Sequence, residues 1–203
     1  APVDAVSFDD NPVNMFWADE LRKALGQEVT SGGDSTDGNA GNSSSSTTVT
    51  DEMLRTWELQ MVDRINEERA KVGASPLLQD EMCMEFAQFW AKHLATVKFE
   101  HSTIADMYAW VKGVDVEDVL ESDGSFFMTE EMGKEIERFA GGENITGAGR
   151  LTGIGYDPMT LAMNNFMSSE GHRNTILNSD WTHVGIGFAV SDNGIIWCCQ
   201  NFS

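Results

Sequence analysis

Apolar residues recur every three or four positions in two long stretches of the chain, and this spacing predicts two amphipathic helices. The first helix is predicted over 51–72, with Thr50 as its cap and Gly73 after its end. Its apolar face consists of Leu54, Trp57, Met61, Val62 and Ile65. The second helix is predicted from a cap at Asp80 to about residue 94. Its inward positions are Cys83, Phe86, Ala87 and Trp90, so Cys83 is interpreted as a small buried hydrophobe.

The pattern changes towards the carboxyl end, where glycines and β-branched residues become frequent. GGENI at 141–145 predicts a short strand, a glycine-rich loop follows over 147–155, and Asp157 and Pro158 open a helix through 167. VGIGFAV (184–190) and IIWCCQNF (195–202) flank an Asn-Gly pair, which predicts a β-hairpin. The predicted helices come first along the chain and the antiparallel strands come late, and this order indicates an α+β domain.

The middle of this domain, 103–137, has weaker periodicity. A short helix is predicted over about 104–111, followed by a segment, 115–137, with nine acidic residues and a single base, Lys134. A calcium loop would place Asp and Asn more tightly around a glycine. We therefore interpret 115–137 as a solvated acidic face.

The chain ahead of residue 51 has a different composition. Residues 27–50 are dominated by Gly, Ser, Thr, Asn and Asp, which predicts a flexible linker between an N-terminal extension, 1–26, and a domain, 51–203. Within the extension, 12–25 predicts a short amphipathic helix, whose stripe includes Phe16 and Trp17. A helix this short is marginal alone, so we expect the stripe to be buried against another surface.

Charge and cysteine content narrow the class of protein. The chain of 203 residues carries a formal net charge of -20, which disfavours binding to nucleic acid or to anionic lipid surfaces. No apolar run is long enough for a membrane span. No leader precedes Ala1, so either the protein is not exported or its signal segment is absent from this chain. The three cysteines are too few for a disulfide scaffold.

The cysteines carry a structural prediction of their own. Cys198 and Cys199 are neighbours on a predicted strand and point to opposite faces, so at most one is expected in the core. The same geometry disfavours a bond between them. If one disulfide forms, we expect Cys83 to be one of its members.

Four histidines are the candidates for chemistry. His93 lies on the second predicted helix and His183 precedes a strand, so both are interpreted as structural. His101 and His172 lie at predicted helix ends, in loops that also carry Ser or Glu. No HExxH, GxSxG, phosphate loop or paired CxxC is present. The residues alone thus predict two histidines and one or two glutamates that could meet.

A resemblance to a known family, carried by a set of motifs, implies that these histidines and glutamates lie together. Six sequence features carry it: NEER (66–69), His101, GENI (142–145), SSEGHRNTIL (168–177), VGIG (184–187) and CQNF (199–202). They occur in the order typical of the CAP superfamily. That group includes cysteine-rich secretory proteins, venom allergens and plant pathogenesis-related proteins, and this chain resembles its bacterial members over 51–203. The resemblance implies secretion and a three-layer α-β-α sandwich with a central antiparallel sheet. It also implies a cleft that holds two histidines and two acids.

The resemblance also assigns the residues of this cleft. His101 matches the first histidine, Glu143 the first acid and His172 the second histidine. The second acid falls at Ser169, and the neighbouring Glu170 is the alternative if the turn rotates it inward. Thr175 departs from the motif, which usually has Asn there.

Such a cleft has three possible uses. His101 and His172 could bind a divalent metal such as zinc, Glu143 could orient a histidine for acid–base catalysis, or the cleft could recognise a polar ligand. We favour a secreted binding or interaction module whose extracellular ligand is unknown, with lipid, peptide and cell-wall components as candidates. The alternative is a metal-dependent, protease-like hydrolase, and a purely structural domain comes third. The motifs establish no cofactor, and a divalent metal such as zinc is the one candidate.

Overall fold

The computed structural model describes residues 48–150 and 157–203. The predicted N-terminal helix, 12–25, and most of the predicted linker, 27–50, lie outside these residues and stay predictions. So does the end of the predicted glycine-rich loop. Among the described residues, no helix combines the length and the apolarity needed to cross a bilayer.

Six helices, one 3-10 turn and four strands make up the described unit. The helices are α1 (Asp51–Lys71), α2 (Glu81–Thr96), α3 (Ile104–Lys112), α4 (Glu130–Ile136), α5 (Pro158–Ser168) and α6 (Glu170–Leu177), and the 3-10 turn is Val116–Val119. The strands are β1 (Leu78–Gln79), β2 (Gly142–Arg150), β3 (His183–Val190) and β4 (Ile195–Phe202). They form one sheet in the order β1-β3-β4-β2. The three long strands are antiparallel, and the two-residue β1 pairs with β3 in parallel.

Helices cover both faces of this sheet. On one face, α2 packs on β3 and β4, and its Phe86 and Trp90 share a buried cluster with Cys199 and Ala189. On the other face, α1 packs on β3, with the Trp57 and Phe188 rings 5.8 Å apart, and α5 packs on β2. The fold is therefore the predicted α+β sandwich, with a helical layer on each side of the sheet.

Local capping chemistry sets the helix starts that the sequence predicted. The Thr50 hydroxyl accepts a hydrogen bond from Met53 N (3.2 Å), and the Asp80 carboxylate accepts bonds from Met82 N and Cys83 N. The predicted hairpin is also present. Gly194 makes the turn between β3 and β4 with a positive φ of 81°, which only glycine adopts without strain.

Three local expectations need correction. The strand predicted at 141–145 continues to Arg150 as β2, with a register shift after Gly147, so the first part of the predicted loop is strand. The sequence also missed β1, and it missed α4 within the acidic segment. That helix forms because Thr129 caps it and the buried Ile136 anchors it.

The cysteine expectation was wrong in one respect. Cys198 and Cys199 do point to opposite faces, but both are fully buried because each face of the sheet is covered by helices. All three cysteines of the chain are free thiols. They contribute to packing, as predicted for Cys83.

The contact between α2 and β3 is unusually close. A Cβ atom on Gly185 would lie 2.0 Å from the carbonyl carbon of Cys83, and one on Gly187 would lie 2.1 Å from Ala87 O. Glycine at these two positions lets the helix backbone approach the sheet directly. This approach fixes α2 and therefore the loop that leaves its carboxyl end.

Candidate functional site

The loop between α2 and α3 carries His101 and is anchored at both ends. The indole Nε1 of Trp90 donates a hydrogen bond to Glu100 O (3.1 Å), which ties the loop to the core side of α2. At its far end, Thr103 and Asp106 form a capping box that starts α3. His101 thus projects from a fixed backbone, although its side chain is 59% exposed.

Glu143, at the start of β2, is the centre of the site. Its Oε1 accepts hydrogen bonds from His101 Nδ1 (2.7 Å) and Ser102 N (3.0 Å). Its Oε2 accepts a bond from Ser102 Oγ (2.6 Å). The Glu143 side chain is 8% exposed, so the carboxylate is largely removed from water and its oxygens are occupied by these donors.

These contacts define which ring nitrogen carries the proton in a neutral His101. A carboxylate can only accept, so the proton of a neutral His101 lies on Nδ1 and the lone pair lies on Nε2. The carboxylate also fixes the orientation of the ring. Glu143 therefore presents the Nε2 lone pair of His101 as an acceptor or base.

His172 reaches the site from the third position of α6. Its ring meets the edge of Phe166 with centroids 5.3 Å apart, and its carbonyl accepts a hydrogen bond from Asn144 Nδ2 (3.1 Å). Burial lowers the pKa of His172 below its usual value, and the charge of nearby His101 lowers it further. The neutral imidazole is thus favoured at His172.

The position of β2 explains how two different layers contribute to one site. β2 lies at the edge of the sheet, and its successive residues point to opposite faces. Glu143 meets His101 and Ser102 on the α2 side, while Asn144 holds the backbone of His172 on the α6 side. His101 and the backbone of His172 therefore lie against opposite faces of this edge strand.

Two residues of the NEER motif, on α1, hold the backbone segments around the site in place. The guanidinium of Arg69 is fully buried and donates to the carbonyls of Ser75 (2.8 Å), Ile176 (2.7 Å) and Asn178 (2.7 Å). Asn66 bonds to both backbone groups of Leu77. Arg69 therefore fastens the end of α6, and through it the position of His172, to α1.

Ser169 and Glu170 lie near the cleft without joining its hydrogen-bond network. Ser169 is the N-cap residue of α6, but its side chain makes no capping bond. Glu170 is exposed in the first turn of the helix. Within the described residues, no hydrogen bond links either side chain to His101, Glu143 or His172.

The donor set fits a zinc ion poorly. In the described part of the chain, no group of three or more His, Cys, Asp or Glu side chains is arranged to hold a metal ion. Zinc sites in proteins take three or four protein ligands. Here Glu143 already receives three donors, and burial raises the pKa of the Cys199 thiol, 4.0 Å from Glu143 Oε2, well above its usual value. Zinc binding by His101 and His172 stays a prediction, and these two residues would supply only two imidazole ligands.

A serine-hydrolase arrangement is not supported by these contacts. The Ser102 hydroxyl donates to Glu143 rather than to an imidazole, so it lacks the histidine partner of a Ser-His pair. The role of Ser102 as a holder of Glu143 was missed by sequence reasoning. Its position next to His101 was the only available signal.

Comparison with known proteins places the chain in a family context. The model of the cysteine-rich secretory protein family, CAP, matches residues 62–202. Two proteins of Bacillus subtilis are similar: the uncharacterized protein YkwD (28% identity, 76% of this chain and 50% of that protein) and the uncharacterized membrane protein YlbC (29% identity, 65% and 31%). The CAP domain of enterococcal PrgA is a structural neighbour, with 16% identity, a TM-score of 0.49 and coverage of 77% of this chain and 64% of that one. The chain thus spans half or less of the length of these two Bacillus proteins.

Proposed function

Because the chain belongs to the cysteine-rich secretory protein (CAP) family, we propose that it is an extracellular binding or interaction module and that the cleft around Glu143 holds its ligand. The observation that carries this proposal is the three-donor grip on a buried carboxylate, which orients His101 towards solvent. A partly exposed, fixed imidazole beside a second, neutral one suits recognition of a polar group that can donate and accept hydrogen bonds.

Three probes cover the candidate ligands: vesicles of zwitterionic phosphatidylcholine, a soluble muramyl dipeptide from cell wall, and a tri-alanine peptide. Each would be titrated into the labelled protein while the amide NMR signals of Ser102, Glu143 and His172 are followed. We expect one probe to shift these signals, and we expect the Glu143→Gln variant to bind it about tenfold more weakly, because a glutamine amide cannot accept from all three donors.

A matched variant separates a local effect from a general one. Glu85 is exposed on α2, and Glu85→Gln removes the same charge at a residue outside the hydrogen-bond network of the cleft. This control should bind like the wild type. If no probe shifts the cleft signals, or if both variants bind alike, the cleft is not the binding site.

The metal-dependent hydrolase is a second candidate, favoured by one observation. A carboxylate that accepts from one nitrogen of a histidine is a common way to orient the other nitrogen towards a metal, and Glu143 does this for His101. The same NMR experiment with zinc should then perturb both His101 and His172. Zinc-dependent cleavage of labelled casein that disappears in His172→Ala would replace the first proposal with this one.

A further inference from the structure

A pocket lies close to the loop that carries His101, between the start of α3 and the segment 116–126. Its volume is about 520 Å³, within the usual range for ligand pockets. Apolar side chains dominate its lining: Ile104, Ala105, Val116, Leu120 and Phe126. Thr103, two residues after His101, also lines it, but none of the cleft residues His101, Glu143 and His172 does.

The walls of this pocket are preformed. The ring of Phe126 packs against Tyr108 of α3 with centroids 5.9 Å apart. The turn that carries the opposite wall is closed by backbone hydrogen bonds from Gly124 N to Glu121 O and from Glu121 N to Ser125 O, both 2.8 Å long. A partner would not have to order these segments on binding.

The rim of the pocket is strongly acidic. Five exposed carboxylates and no base lie along the segment that forms one wall: Asp115, Glu117, Asp118, Glu121 and Asp123. Residues 115–137 hold nine acids and one base, whereas the rest of the described chain holds sixteen acids and ten bases. The acidic excess of the described chain is therefore concentrated in this segment, and five of its nine acids lie in the part that forms one wall of the pocket. Beyond the rim, the side chain of Phe127 is also exposed, at 75%.

We propose that this acidic-rimmed pocket docks a basic segment of a partner protein that inserts one bulky apolar side chain. The apolar side chain would fill the pocket, and flanking Lys or Arg residues would meet the carboxylates of the rim. A second copy of this chain fits poorly, because a molecule with a net charge of -20 repels itself. A neutral apolar ligand would leave the rim charges without a counterpart.

Short synthetic peptides test the two parts of this surface. The probe is Lys-Lys-Phe-Lys-Lys, and the controls are Lys-Lys-Ala-Lys-Lys, Glu-Glu-Phe-Glu-Glu and the neutral Ser-Ser-Phe-Ser-Ser. We expect the probe to shift the amide NMR signals of Ala105, Val116 and Leu120, and each control to bind at least about tenfold more weakly. Raising the salt concentration should weaken the probe further.

Charge-reversal variants locate the effect on the rim. The double variant Glu117→Lys with Asp118→Lys should lose about tenfold or more in affinity for the probe. The double variant Asp63→Lys with Glu85→Lys makes the same change in net charge at exposed positions of α1 and α2 and should lose less than about twofold. Leu120→Ala should weaken the probe while the rim charges stay intact.

Other outcomes would overturn the proposal. Equal losses in the two double variants would show attraction to the acidic chain as a whole. Equal binding of the neutral peptide would make the pocket a plain apolar site. A concentration-dependent dimer in sedimentation, broken by Leu120→Ala, would make a second copy the occupant. Because none of these variants alters a cleft residue, the result is independent of the function proposed for Glu143.

Discussion

At the scale of single residues, His101 and His172 differ in their surroundings although they are near enough for the charge of one to affect the other. His101 is more than half exposed and is held by Glu143 through Nδ1. His172 is half-buried against Phe166, and its pKa is lowered by burial first and by the charge of His101 second. The charge of His101 therefore acts on the pKa of His172.

The coupling predicts the effect of replacing His101. In His101→Gln, the new side chain can still donate to Glu143, but it carries no positive charge. We expect the pKa of His172 to rise in this variant and to stay below its usual value, because burial still disfavours the imidazolium. Histidine signals followed by NMR across a pH series measure this. His183→Gln, at the start of β3, is the control, and an unchanged pKa of His172 in His101→Gln would contradict the coupling.

At the scale of elements, the approach of α2 to β3 controls the position of the cleft loop. Gly185 and Gly187 leave no room for a side chain, since a Cβ atom would overlap the helix backbone at Cys83 and Ala87. Helix backbone cannot yield as a flexible side chain can. Any side chain at these two positions must push α2, and with it His101, away from the sheet.

Gly185→Ala should therefore be strongly destabilising. We expect the free energy of unfolding to fall by about 3 kcal/mol or more, because the overlap forces the backbone to move. Gly133→Ala in α4 is the matched control, since nothing lies within 4 Å of the added Cβ. It should leave stability unchanged or raise it by about 0.5–1 kcal/mol. Urea unfolding of both variants measures the difference, and equal stabilities would contradict the close packing.

At the scale of the whole molecule, the stability of this highly acidic chain is expected to depend on pH through one buried carboxylate, that of Glu58. Glu58 on α1 is 3% exposed and meets β3 beyond the end of the short β1, where it accepts a hydrogen bond from Phe188 N (3.4 Å). Gln88 from α2 and Arg55 also donate to it, at 2.8 and 3.2 Å. Desolvation nevertheless raises the pKa of Glu58 above its ordinary value, against the opposing effect of these donors.

The raised pKa fixes the direction of a pH effect. The folded state binds the Glu58 proton more tightly than the unfolded state, so this stabilisation is complete below the unfolded pKa. It is lost as the pH rises through the folded pKa. Glu58→Gln has no such proton to lose, so its stability relative to the wild type should increase from about pH 4 towards neutrality. Urea unfolding at several pH values, with Glu85→Gln as the exposed control, tests this, and a constant difference would argue against it.

Features that depend on nearby residues could be predicted from the amino-acid sequence. Helical spacing and the caps at Thr50 and Asp80 located α1 and α2, and the Asn-Gly turn located the β3–β4 hairpin. These signals are local, because each cap or turn lies within a few residues of the group it bonds. The family motifs also identified His101 and Glu143, which the structure brings to 2.7 Å.

Features that depend on contacts between distant residues became visible only in the folded chain. Ser102 holds Glu143 across 41 residues, and Asn144 holds the backbone of His172 across 28, so neither role is visible in local sequence. Alternation along β4 indicated that Cys198 and Cys199 face opposite ways, but not that helices cover both faces and bury both thiols. The physical reason is that burial belongs to the layer packed on a strand, and a strand's own residues do not specify which layers will cover it.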